Sequence, residues 1–344
     1  LPDALRAAKE TTVLMQEFVV PRWLRSPHLQ TLGAAAPLFS PPRSHATAEE
    51  ELRIPLDERH KLHGRVWWAS AERAPAVIVV HGIGGSSESR YVVRAGVALH
   101  RAGYHVVRLD LRGAGGSIVD APSLYHAGLT SDLALVCEHV ARDPRVSGVA
   151  LFGFSGGGTM SLKLASEWGR AAPEHARAIV SISAPLDYTR VAPWMDSLGR
   201  IAYRFHVLRG LSNGARAFAR LRPDLAHYRP EDVKRMSSFR HYDGTIIVPM
   251  HGFSDVDEYY AAASAGPLLD RVTLPALLVH AEDDPMVPGF TVKPWLERAS
   301  SSIDVSLSPN GGHIGWVAGF DEASWIESWA IRRALDFLRE KLRA

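Results

Sequence analysis

The sequence predicts an α/β protein, a mostly parallel sheet with helices on both faces and a helical insertion before its last strands. Three observations carry this. Short β-branched runs alternate with helical segments through residues 51–184. The alternation stops between 185 and 269, then returns to the end of the chain. The runs are continuously apolar, as expected of strands covered on both faces. At 344 residues the chain can bury a large core, with an inserted subdomain.

Residues 1–50 read as an N-terminal arm, with Pro41-Pro42 and a polar run before the core begins. "ELRIPL" and "LHGRVWWA" flank "DERHK", an antiparallel hairpin signal. "AVIVV" (76–80) is a buried strand and 89–102 a helix. "YHVVRL" (104–109), "GVALF" (148–152) and "AIVSIS" (178–183) are strands, with helices over 127–142 and 156–169 between them. From 185 to 269 only "TIIVPM" resembles a strand, and a structureless loop of that length would be unusual. A helical lid is the expectation. The core resumes over 270–344 with a strand at "PALLVH" (275–280), a helix near 289–300, a strand at "IDVSLS" (303–308) and a final helix over 322–343.

Composition narrows the function. The hydrophobic fraction of 46% and charged fraction of 22% are ordinary for a globular protein. Lys plus Arg (39) nearly balance Asp plus Glu (37), and the two signs read as interspersed, which speaks against nucleic acid. The single cysteine, Cys137, lies on an amphipathic stretch and reads as a structural thiol; it favours a reducing, cytoplasmic setting. No apolar stretch reaches the roughly 18 residues of a membrane span. The first twenty residues lack the pattern of a signal peptide. Their amphipathic character suits docking on the protein's own surface, or peripheral contact with a membrane.

In open α/β sheets, ligands bind beyond the carboxyl ends of the strands, so the polar residues after each apolar run are the ones to weigh. "GVALF" leads into Gly153-Phe154-Ser155-Gly156-Gly157, which fits a nucleophile elbow, G-x-S-x-G, as well as a tight strand-to-helix turn. A serine needs a nearby base, and the base needs a carboxylate to fix its tautomer. His313 follows "IDVSLS", and Asp284 follows "PALLVH". Alone, His313 could cap the last helix, and Asp283 and Asp284 could be turn residues before Pro285. "HGIGG" (81–85) supplies a glycine-rich loop, so the Ile83 and Gly156 N–H groups are the expected oxyanion donors. His81 has no second histidine at metal-ligand spacing. "RGAGGS" does not fit G-x-G-x-x-G, and no P-loop occurs. The order Ser155, Asp284, His313 is the one found in α/β-hydrolases.

These residues resemble the YheT-like branch of the α/β-hydrolases, which includes eukaryotic ABHD lipases and yeast ester synthases. The likeness is carried by "PHLQTL" (27–32), "HGIGGSSESRYV" (81–92), "LDLRGAGGS" (109–117), "YHAGLTSDL" (125–133), "GFSGGG" (153–158), "SAPLD" (183–187), "DVDEYYAAAS" (255–264), "AEDDPMVP" (281–288) and "GGHIGW" (311–316). It implies an α/β-hydrolase fold and serine carboxylesterase or acyl-lipid hydrolase activity without a cofactor. The elbow departs from the family pattern, with Gly156 and Thr159 where leucine and asparagine are usual. Glycine keeps the backbone N–H, so the departure bears on substrate range.

The expectation is therefore a serine hydrolase acting through an acyl-enzyme on an ester with an apolar acyl chain. Transfer of the acyl group to an alcohol, and a non-catalytic binding protein on the same scaffold, are the alternatives. The lid aromatics Trp194, Tyr259 and Tyr260 are read either as walls of an acyl pocket or as the lid's own small core.

Overall fold

The computed structural model describes residues 18–35, 48–320 and 326–342; the expectations for residues 1–17 and for Pro41-Pro42 fall outside them. A helix, α1 (Pro27–Ala35), precedes β1 (Glu50–Pro55) and β2 (Lys61–Trp67). These two strands form the expected hairpin, with Ile54 opposite Leu62. There follow β3 (Ala74–Val80), α2 (Arg90–Arg101), β4 (His105–Asp110), α3 (Ser131–Ala141), β5 (Val146–Phe154), α4 (Gly156–Trp168) and β6 (Ala176–Ile182). Beyond the insertion lie β7 (Ala276–Ala281) and β8 (Ile303–Ser308).

The eight strands make one sheet in the order β1-β2-β4-β3-β5-β6-β7-β8. The hairpin meets β4 antiparallel, and every pair from β4 to β8 is parallel. Successive strand side chains face opposite ways. Ala76, Ile78 and Val80 of β3 enter one core, and Val77 and Val79 the other. Leu278 and Leu277 of β7 divide in the same way. Both faces must be apolar, which is why these strands read as unbroken hydrophobic runs.

Between β6 and β7 the chain is helical. It includes α5 (Tyr188–Asp196), α6 (Ile201–Leu221) and a further helix over Val256–Ala263. Leu208, Ala215 and Phe218 of α6 share a helical face and pack with Tyr242, Ile246 and Tyr259, and with Leu124 and Ala127 from the loop after β4. "TIIVPM" is not a strand: Asp243–Ile247 forms a π-helical turn that runs into a helical turn over Val248–His251. Its β-branched residues suit a strand, but Ile246, Ile247 and Val248 bury into the helical core between β6 and β7, and they pair with no strand among the described residues.

Two further expectations need correction. The last helix spans Trp329–Leu342, and Ile326–Ser328 before it is β10, paired with β9 (Val317–Phe320) in a small antiparallel sheet. Charge is also less evenly spread than expected, because residues 197–222 hold six arginines and no carboxylate.

Candidate active site

Four parallel strands, β3, β5, β7 and β8, end at Val80, Phe154, Ala281 and Ser308, and the loops that follow converge. Ser155 sits between β5 and α4 at φ +50° and ψ −123°, a conformation that L-residues seldom adopt. Its neighbours explain the glycines. A Cβ on Gly153 would lie 2.3 Å from the Gly157 carbonyl oxygen, and one on Gly157 would lie 2.5 Å from that of His81. Only glycine lets strand, turn and helix approach so closely.

His313 Nε2 is 3.1 Å from Ser155 Oγ, and His313 Nδ1 is 2.8 Å from Asp284 Oδ2. The carboxylate accepts from Nδ1–H, which leaves Nε2 as the acceptor for the serine hydroxyl. Asp284 is buried, and its Oδ1 accepts the Met286 and Val287 N–H groups at 2.8 Å each. Asp283 faces elsewhere. Its Oδ1 accepts the Gly312 N–H at 2.9 Å and its Oδ2 accepts from Asn310 Nδ2 at 3.2 Å, while burial pushes its carboxyl up. It ties the β7 loop to the loop that carries His313.

Ile83 and Gly156 lie against each other: a Cβ on Gly156 would fall 2.6 Å from Ile83 Cγ1. Gly156 opens α4, where a backbone N–H has no intrahelical acceptor. The loop holding Ile83 is pinned from several sides. Tyr91 Oη accepts the Gly82 N–H at 3.0 Å, and Tyr125 Oη accepts the Gly84 N–H at 2.7 Å. His81 is fully buried; its Nδ1 donates to Gly82 O at 2.7 Å and its Nε2 accepts from Leu111 N–H at 3.2 Å. Burial holds its pKa below the ordinary histidine value. It is a brace for the loop. "RGAGGS" likewise wraps a side chain: Asp110 accepts from Gly116 N–H at 2.9 Å and from Ser87 N–H at 2.6 Å.

The residues that sequence reasoning missed are on α1. Thr31 Oγ1 accepts the His313 N–H at 2.9 Å and donates to Pro27 O at 2.8 Å. Gln30 is fully buried, and its Oε1 accepts the Val317 N–H at 2.6 Å. A Cβ on Gly312 would lie 2.5 Å from Pro27 O, so α1 sits directly on the histidine loop. "PHLQTL" was visible as a motif, but nothing in its spacing links it to residues 312–317.

Ser155 and His313 open into a cavity of about 430 Å³ under the helices between β6 and β7. Ile83, Val191, Met195, Leu211, Met286 and Ile314 make much of its wall. Tyr188 Oη, beside Gly156, is buried without a hydrogen-bond partner among the described residues. Tyr259 and Tyr260 line the cavity and also belong to the hydrophobic core of the helices between β6 and β7. Trp194 is not in the wall: its indole N–H donates to Pro285 O at 3.2 Å and its ring meets Phe290. Asp243 lines the cavity, with its carboxyl pushed up to about 7 by burial and its Oδ2 accepting from Tyr260 Oη at 2.8 Å. Burial also lowers His126, on the same wall, to about 3.

A doubly covered parallel sheet with these groups at its carboxyl edge is the architecture of an α/β-hydrolase. The chain belongs to the alpha/beta hydrolase fold family, whose model matches residues 75–317. It is similar to YheT of Escherichia coli, which carries an esterase name, at 29% identity over 91% of both chains. It is also 26% identical to the monoacylglycerol lipase of Saccharomyces cerevisiae and 24% identical to human phospholipase ABHD3. Those matches cover 74% and 73% of this chain but 58% and 61% of the relatives. Among solved structures, GrgF from Penicillium shares the fold, with a TM-score of 0.59 and 19% identity over 86% of this chain and all of its own. Est1E from Butyrivibrio proteoclasticus does so at 0.55 and 17%, over 85% of this chain and all of its own. Among the described residues no helix is long and apolar enough to cross a membrane.

Proposed function

We propose that the protein hydrolyses carboxylic esters through an acyl-enzyme on Ser155. One observation carries the reading: the continuous contact from Ser155 Oγ through His313 to the buried Asp284, on a turn held in a strained conformation. His313 Nε2 takes the hydroxyl proton as Oγ attacks the acyl carbon, and Asp284 stabilises the imidazolium. The Ile83 and Gly156 N–H groups hold the developing oxyanion. The alcohol leaves with the proton from Nε2. Water then gives a proton to Nε2 and attacks the ester on Ser155; as the C–Oγ bond breaks, Nε2 returns the proton to Ser155 Oγ and the acid is released. The predominantly apolar wall supports an acyl chain as occupant, with residues 185–269 as the lid that shapes it. The lipase and phospholipase names of the relatives favour a lipid-like ester. A lone, buried thiol suits a reducing compartment such as the cytoplasm.

A fluorophosphonate probe is expected to add once, at Ser155, and Ser155→Ala to abolish both labelling and ester turnover. Labelling that persists in Ser155→Ala at the wild-type rate would overturn the assignment.

A further inference from the structure

α1 and α6 meet over the mouth of the cavity. Thr31 and Leu32 line it from one side, and Tyr203, His206 and Val207 from the other. His28 Nδ1 lies 2.5 Å from Tyr203 Oη and the two rings stack, which ties the helices together. The outer surface of this rim is apolar. Leu198 is 85% exposed, Phe205 66%, Trp23 and Leu32 62% each, and Ile201 53%. Trp23 stacks on the exposed Phe320, which extends the surface. Single exposed apolar residues are ordinary, but a contiguous group of large ones marks an interaction site.

The charge on the same two segments is one-sided. Residues 18–35 and 197–222 together contain eight arginines and no aspartate or glutamate, in a chain where 39 basic residues face 37 acidic ones. Arg22, Arg25 and Arg209 are exposed and make no ion pair among the described residues. On α6, Ile201, Phe205 and Arg209 follow one another at four-residue spacing, so apolar and cationic side chains share one face.

We propose that this face docks on an anionic lipid surface, with the cavity mouth turned toward the bilayer. Exposed Trp, Leu, Ile and Phe side chains enter the boundary between headgroups and acyl chains, while guanidinium groups take lipid phosphates. A nucleic acid would satisfy the arginines and leave the apolar side chains in water. The mouth adds a second reason, because an apolar ester would pass from lipid to the cavity without crossing water. That last step rests on the esterase reading; the docking does not.

The test is sedimentation of the whole chain with vesicles of phosphatidylcholine alone, or with added phosphatidylglycerol, beside a rate measurement on a short, water-soluble ester. The wild type is expected to partition onto the anionic vesicles, less so as salt rises, and weakly onto phosphatidylcholine. The double variant Ile201→Ser/Phe205→Ser should lose at least about tenfold in partitioning. Arg22→Glu/Arg209→Glu should lose about fivefold or more for each charge changed. Both pairs are exposed and outside the cavity wall, so the soluble-ester rate should stay at the wild-type level. No partitioning onto anionic vesicles would overturn the proposal, as would both double variants binding like the wild type. Binding to heparin or DNA in place of vesicles would overturn it too. A wild type inactive on every soluble ester would sink the esterase reading, and the partitioning would still decide the docking.

Discussion

Asp284 Oδ2 lies 2.8 Å from His313 Nδ1, while its neighbour Asp283 turns to Asn310 and Gly312. The two replacements should therefore separate. Asparagine at 284 can present an amide N–H to Nδ1, which would favour the wrong histidine tautomer, and a loss of turnover on the order of 10⁴ is expected. Asparagine at 283 keeps an acceptor for the Gly312 N–H and should cost less than about tenfold, read as kcat on one ester for both folded variants. The reverse ranking would assign the acid to Asp283. At this scale Ser155, Asp284 and His313 could be singled out as candidates, because a nucleophile, a base and an orienting acid call for a few residue types at strand ends. His81 was not: a buried brace and a functional histidine look alike in sequence, and only its two hydrogen bonds tell them apart.

α1 is the element whose contribution sequence reasoning missed. Thr31 holds the backbone of His313, so replacing it by isosteric valine should loosen the base without emptying the site. We expect kcat on a soluble ester to fall about 10- to 100-fold with KM little changed, and Thr31→Ser to restore most of it. Equal kcat for the valine variant and wild type would make the contact a matter of packing alone. The strands were legible here because a doubly covered parallel sheet demands unbroken apolar runs. "TIIVPM" and the β9–β10 pair were misread for a shared reason. Short β-branched segments take strand or helix according to what they pack against, and that partner is remote in sequence.

Stability of the whole molecule should carry the signature of Asp243. Burial raises its carboxyl to about 7, and among the described residues Tyr260 Oη is the one hydrogen-bond donor to it. The folded chain then keeps a proton that the unfolded chain loses near pH 4, so this group's contribution to stability declines as pH rises from about 4 to 7 and is flat above. Asp243→Asn keeps an acceptor for Tyr260 and removes the charge. It should flatten that decline, and at pH 8 it should be the more stable chain by about 2–4 kcal/mol in denaturant unfolding. Parallel profiles for variant and wild type would mean that Asp243 gains a partner or solvent when it ionises. The sequence by itself carried the α/β sheet, the helical stretch between β6 and β7 and the candidate side chains Ser155, Asp284 and His313, since periodicity and residue chemistry are local properties. Only the tertiary structure showed that Thr31 of α1 holds the His313 N–H and that α1 and α6 meet at the cavity. Those contacts join segments 282 and 175 residues apart, which packing creates and no local pattern records.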